Sequence, residues 1–266
     1  MGKKYQLEFL YRPGLRLSDE ALADLVADVR AVAATCFKEI PDYQVMRGTR
    51  KELSDKVLSL ARRENGQLAG FCSAVLLPVE NVGDVLHLGL TCVRPEDRGA
   101  KLTHLLTSKV VLNYLLRRKP VGRTWISNCA CVLSSLGNVA VHFDGVYPSP
   151  LRNQPPTETH RQIARTIDRE HRDKMYVMPE AVLDEEAFVF RGSVNRTVFQ
   201  KEKSDRRYHH RVADLNAYYQ GLLDFENGDE ALQIGHVSLL TSFRYFMKKR
   251  RLRVALQSQV PQPEYP

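Results

Sequence analysis

The sequence predicts an α/β fold, and two observations carry the prediction. From Asp84 to Arg118 a β-favouring run passes through a tight turn directly into a long helical pattern. Across residues 5 to 147 the elements follow in the order strand, helix, hairpin, strand, helix, strand, helix. Such alternation asks for a sheet with helices packed on its faces.

Each element has its own signature. Tyr5, Leu7, Phe9 and Tyr11 alternate with Gln6, Glu8 and Leu10, which makes a short strand. Pro13-Gly14 turns the chain. Ser18 stands ahead of Asp19-Glu20 and the stripe Leu22, Leu25, Val26, Val29 and Val32, a capped helix that ends before Pro41-Asp42. Residues 43 to 54 read as a polar loop with room for a short helix. Lys56–Ala61 and Gln67–Val79 are strands around Asn65-Gly66, the strongest short hairpin signal. In Val85–Val93, Leu86, Leu88, Leu90 and Cys92 alternate with His87, Gly89, Thr91 and Val93, as in a strand covered on both faces. Pro95 stops it, having no amide hydrogen for the ladder. Leu102, Leu105, Leu106, Val110, Leu112 and Leu115 then repeat at helical steps, with no proline before Pro120. Arg123–Ala130 is a fifth strand, and Ser134-Ser135 cap a helix running to Phe143.

Beyond Pro148 the prolines at 150, 155 and 156 mark a loop. Glu158–Met175 is a charged helix with a thin stripe of Ile163, Ala164 and Ile167. Ala187–Val194 and Thr197-Val198-Phe199 read as late strands. Asp214–Phe225 and Val237–Lys249 read as helices, and the proline-containing tail after Leu256 as disordered. The expected organisation is one domain over 1–256, with an insertion at about 148–185 and a tail at 257–266.

Composition narrows the function classes. With 266 residues, 43% hydrophobic and 26% charged, the chain is long enough for a substantial core. No apolar run reaches the roughly 20 residues of a membrane helix, and Met1–Tyr5 holds no signal-peptide core. Five cysteines (36, 72, 92, 129 and 131), an odd count, point to reduced thiols inside a cell. Cys129-x-Cys131 is not zinc-ligand spacing, so no metal is expected. The net charge of +8 is concentrated: Arg244, Lys248, Lys249, Arg250, Arg251 and Arg253 supply six charges in ten residues, leaving +2 elsewhere. A solvated helix end is the first reading of Lys248–Arg253; nuclear import or a nucleic-acid contact follows. The expected compartment is the cytoplasm, with the nucleus as the alternative that this cluster allows.

The turn Val93-Arg94-Pro95-Glu96-Asp97-Arg98-Gly99-Ala100-Lys101-Leu102, followed by Leu105-Leu106, resembles the acyl-CoA-binding motif of the GNAT superfamily of N-acyltransferases. That family places an Arg/Gln-x-x-Gly-x-Gly/Ala turn after its fourth strand. Here Glu96 holds the Arg/Gln position and Lys101 the second Gly/Ala position. The order of elements over 5–147 is also the family's. The resemblance implies a mixed, mostly antiparallel central sheet flanked by helices, closed by two late strands and elaborated toward the C-terminus. It implies transfer of an acetyl group from acetyl-CoA, a cosubstrate, to an amine by direct attack in a ternary complex. The strand backbone at Thr91, Cys92 and Val93 would hold the carbonyl and pantetheine. Arg98, Gly99, Ala100, Lys101, Leu102 and Thr103 would meet the phosphates, with Asn138 on the pantetheine arm.

Such a reaction needs a base for the amine and an acid for the leaving thiolate. His87, then Asp84 and Glu80, are the candidate bases; Tyr147, then His142, the candidate acids. The acceptor is expected to be a small molecule ahead of a protein, with a homodimer contact one use for the C-terminal part, and neither membrane nor nucleic acid as principal partner. The rival readings are a non-catalytic protein of this fold that binds CoA or another partner, and, third, a nucleic-acid-associated protein acting through Lys248–Arg253.

Overall fold

A computed structural model describes residues 5–152 and 154–241. The expected helix Val237–Lys249 opens on Val237, which is instead the last residue of a strand, and its part beyond 241, the basic cluster Lys248–Arg253 and the tail lie outside the described residues.

In chain order the elements are β1 (Tyr5–Tyr11), α1 (Asp19–Ala33), β2 (Lys56–Arg63), β3 (Leu68–Val79), β4 (Gly83–Val93), α2 (Leu102–Arg118), β5 (Thr124–Ala130), α3 (Leu133–His142), β6 (Asp144–Tyr147), α4 (Glu158–Glu170), α5 (Arg172–Met175), β7 (Val182–Asp184), β8 (Val189–Arg191), α6 (Ala213–Leu222) and β9 (Glu230–Val237). The strands form one sheet in the order β1-β2-β3-β4-β5-β9-β8-β7, with β6 beside β9. Its pairings are antiparallel except for β4 with β5. The fold is therefore mixed α/β around a mostly antiparallel sheet, as expected.

Helices cover both faces. α1 starts where Ser18 Oγ accepts the Ala21 amide at 3.2 Å, and it buries Leu22, Leu25, Val29 and Val32 against Leu58, Leu60 and Phe71. α2 lies on the opposite face, with Leu106, Val110 and Leu115 against Ala74, Leu76 and Leu86. Each fully buried aliphatic side chain of this kind contributes about 1.5–3 kcal/mol. α4 sits on the α1 side, placing Ile163 and Ile167 on Val75, Leu77, Leu232 and Ile234. α3 and α6 close the α2 side through Leu133, Leu136, Tyr219 and Leu223.

Several local expectations are corrected. The stretch 43–54 is not a polar loop: Tyr43, Gln44, Val45, Met46 and Leu53 are buried in two short 3-10 turns. α3 starts one residue after Val132, so Ser134 and Ser135 lie in its first turn and do not cap it. The charged helix breaks at His171 into α4 and α5. Thr197–Phe199 is a turn, and the long closing strand is β9, which the sequence reading did not find. The reason is physical. β9 carries Gln233 in the core at 0% exposure, which no apolar-alternation rule expects. Its side chain is satisfied there, donating to Tyr219 Oη at 2.7 Å and the Leu136 carbonyl at 3.1 Å and accepting from Asn128 Nδ2 at 3.1 Å.

Candidate active site

The site begins with a defect in the sheet. Between β3 and β4 the register runs Ala74 to Leu88 and then Cys72 to Thr91, so β4 carries one extra residue, a bulge at Gly89-Leu90. The bulge reverses which face each parity meets. Before it, Leu86 and Leu88 pack with α2; after it, Val93 does so, while Leu90 and Cys92 turn to α1. The strict alternation expected from Val85 to Val93 therefore fails at its centre. Glycine at 89 leaves room for the end of the Gln44 side chain, which a Cβ would meet at 2.6 Å. Gln44 fills the space behind the bulge, accepting from Ser73 Oγ at 3.1 Å and donating to Tyr43 Oη at 3.2 Å.

Past the bulge, β4 leaves its neighbour. Its parallel pairing with β5 covers Leu86–Ile126, His87–Ser127 and Leu88–Asn128 and goes no further. From Gly89 to Val93 the edge of β4 that faces β5 has no ladder partner, and the two strands open as a V above the N-terminus of α2. The fold is GNAT-like.

No protein-family model and no curated protein sequence matches the chain. Among solved structures, the chain is similar to a GCN5-related glucosamine N-acetyltransferase region of a fungal multi-domain β-N-acetylglucosaminidase (14% identity over 47% of this chain and 13% of that one, TM-score 0.30). It is similar to a ribosomal-protein-alanine N-acetyltransferase of Brucella melitensis biovar Abortus 2308 (17% identity, 43% and 75% covered, TM-score 0.31). A GNAT family N-acetyltransferase of Escherichia coli, solved in complex with CoA, is a third (16% identity, 48% and 63% covered, TM-score 0.27). Likeness at these scores carries no argument. The strand order, the bulge and the V carry it.

The turn beneath the V leaves backbone at the start of α2 without a side-chain cap. One 3-10 turn, Pro95–Asp97, is followed by Gly99 at φ +86°, with open space where a Cβ would stand. Lys101, the residue before α2, is left-handed at φ +60° and gives no side-chain cap. The first amides of α2 thus lack a side-chain partner at the positive end of the helix dipole. A non-glycine residue in this conformation costs about 1–2 kcal/mol, so Lys101 is held there by its surroundings. The acid at the motif's first position is neutralised: Arg63 of β2 donates to Glu96 Oε1 at 2.8 Å and also grips Asp97. Asp97 is buried and further accepts from Tyr5 Oη at 2.8 Å. The guanidinium holds the Glu96 carboxyl below the usual carboxylate range. Glu96 and Asp97 therefore act as struts of the turn.

A cavity of about 640 Å³ fills the V between β4, β5, α2 and α3. Of the expected cofactor residues, Thr91, Lys101, Thr103 and Asn138 line it, and His142 does so beside His104. Cys92 faces α1 near Cys36, and Val93 joins the core under α2. Arg98, Gly99, Ala100 and Leu102 form the turn below.

The expected bases lie elsewhere. His87 is 1% exposed, with Nδ1 3.0 Å from Ser127 Oγ, and burial pushes its pKa down to about 3. Asp84 stands exposed at the start of β4, away from the V. Tyr147 donates its hydroxyl to the Glu186 carbonyl at 2.7 Å and packs on Phe188. None of the three lines the cavity. His87→Ala is expected to cost about 2 kcal/mol of stability, as a core truncation that orphans Ser127. The midpoint of the pH–rate profile should stay unmoved, which thermal denaturation and initial rates between pH 5 and 9 will check.

The carboxylate at the cavity wall is Glu230, the first residue of β9 and one that sequence reasoning missed. It is 7% exposed. Its Oε2 accepts from Ser193 Oγ at 2.7 Å and from the Cys129 thiol at 3.6 Å. Burial raises its pKa to about 7, against these hydrogen bonds and the charge of Lys201. Burial and the carboxylate together keep the Cys129 thiol protonated, and burial lowers the Lys201 ammonium from its ordinary value. Glu230 thus sets a carboxyl with a raised pKa in the wall of the V. The one sequence signal was an acid opening the apolar run Ala231-Leu232.

Proposed function

We propose that the protein is an N-acetyltransferase that takes acetyl-CoA and an amine into one cavity and joins them directly. The observation supporting this reading above all others is the V between β4 and β5, opening over an uncapped helix start and a glycine turn. The diphosphate meets the amides from Gly99 to Thr103, where dipole and free donors favour an anion, with Lys101 beside them. The pantetheine lies along the unpaired edge of β4, and amides at the bulge polarise the thioester carbonyl. Asn138 contacts the arm from α3.

The incoming ammonium gives its proton to Glu230, whose pKa of about 7 suits a general base at neutral pH. The free amine then attacks the carbonyl carbon, the attached nitrogen gives its second proton to His142 as the C–S bond breaks, and His142 passes that proton to the leaving thiolate. His87, Asp84 and Tyr147 take no part. No covalent enzyme intermediate is needed, so Cys129 and Cys131 stay as buried thiols.

Calorimetric titration with acetyl-CoA, paired with a thermal shift, tests the reading. Ligand at about 100 times Kd should stabilise the fold by about 2.7 kcal/mol. An unchanged melting temperature at millimolar acetyl-CoA would favour the rival, a GNAT-fold protein without the reaction.

A further inference from the structure

Resting on that reading, we infer that the acceptor is a monoamine carried on an aromatic or similarly flat apolar body. The cavity wall that carries Glu230 also carries Tyr43, Tyr176 and Phe199, with Tyr43 near enough to Glu230 to feel its charge. The three rings meet edge to face: Tyr43–Tyr176 at 5.8 Å and 70°, Tyr43–Phe199 at 5.6 Å and 77°, Tyr176–Phe199 at 4.8 Å and 71°. Tyr176 and Phe199 are half-buried and line the cavity, so each offers it part of a ring surface that suits a guest ring or the flank of an ammonium, while Tyr43 is buried against them and Phe37 packs on Phe199.

The box is held in place by the fold. Tyr176 is left-handed at φ +59°, the last residue reached by α5, and Gln44, bonded to the Tyr43 hydroxyl, is left-handed at φ +52°. The rings come from three distant segments: the turn before β2, the end of α5 and the loop after β8. Met175 adds an apolar side.

Charge selects against the main alternative. Among the described residues lining the cavity, Glu230 is the one acid, while Lys101 and Lys201 bring two ammonium groups. A polyamine or a basic peptide presents several positive charges, and each beyond the first would meet no carboxylate here and two cations. A single amine at Glu230 with an apolar body among the rings satisfies every wall. Lys201 donates to the carbonyls of Val198 at 2.8 Å and Gln200 at 3.3 Å, so its ammonium is anchored beside the box.

The test is steady-state acetylation of 2-phenylethylamine, spermidine and a lysine-containing peptide, with acetyl-CoA titrated separately by calorimetry. Phenylethylamine should exceed the other two by at least about tenfold in kcat/KM. Tyr176→Ala and Phe199→Ala should each raise the KM for phenylethylamine about tenfold and leave the KM for acetyl-CoA unchanged. Tyr176→Phe, which keeps the ring, should recover most of the amine KM that Tyr176→Ala loses, separating the ring from the hydroxyl. Preference for spermidine or the peptide, or alanine variants with unaltered amine KM, overturns the inference while acetyl-CoA binding leaves the proposed reaction standing. Absence of acetyl-CoA binding overturns both.

Discussion

Gly99→Trp is expected to lower acetyl-CoA affinity by at least about 100-fold, which is roughly 2.7 kcal/mol, with the fold retained. Gly99 stands at φ +86° with open space where a Cβ would be, two residues before the left-handed Lys101 that starts α2, so a side chain there enters open space beside the turn. That space is where the diphosphate is proposed to bind. Any L-residue at this φ strains the turn by about 1–2 kcal/mol, and Gly99→Ala carries the same strain with little bulk. The comparison of the two variants separates conformation from occlusion. Both should melt a few degrees below the parent, and only the tryptophan variant should lose binding in a calorimetric titration. A tryptophan variant that still binds acetyl-CoA like the parent would remove the cofactor from this turn and, with it, the acyl-transfer reading.

The first half of the chain was legible because its local signals and its burial agree. Tyr5–Tyr11 alternates and is β1; Asn65-Gly66 sits between two β-runs and closes the β2–β3 hairpin; the leucine repeat from Leu102 is α2. The turn motif was legible through Gly99, with Glu96 in the Arg/Gln position as its departure. Arg63 pairs with that acid from a strand 33 residues earlier, a pairing that no local pattern reveals. The bulge was hidden for a related reason. Gly89 reads as one small residue in an alternating strand, and the Gln44 side chain packed beside it comes from a segment more than 40 residues earlier. His87 attracted attention as an imidazole beside the motif, yet chemistry there depends on access, and β4 turns it into the core with Ser127. The site's own carboxylate was invisible because β9 was. With Glu230, Gln233 and Gly235 among its eight residues, β9 shows no apolar alternation, and its polar groups are paid for by partners on β5, α6 and the loop at Ser193.

Glu230→Gln should lower kcat by about 10² to 10⁴-fold, the span of a lost general base, while making the protein more stable at alkaline pH. Both follow from one buried group. The parent's kcat/KM should rise as pH passes about 7, where Glu230 loses its proton, and the glutamine variant should show a flat, low profile over that range. For stability the sign is opposite. The carboxyl's folded pKa is raised from its ordinary 4.5 to about 7, so the fold favours the protonated form. The stability that this gives is complete below the ordinary value and is lost as pH rises through about 7; the full loss is roughly 3 kcal/mol. Glutamine has no charge to bury, and its amide oxygen can still accept from Ser193. At pH 9 the variant should therefore unfold at higher urea than the parent, and at pH 5 the two should converge. Equal pH dependence of urea midpoints in parent and variant would show that Glu230 titrates as an ordinary acid, and the general-base assignment would fall with that result.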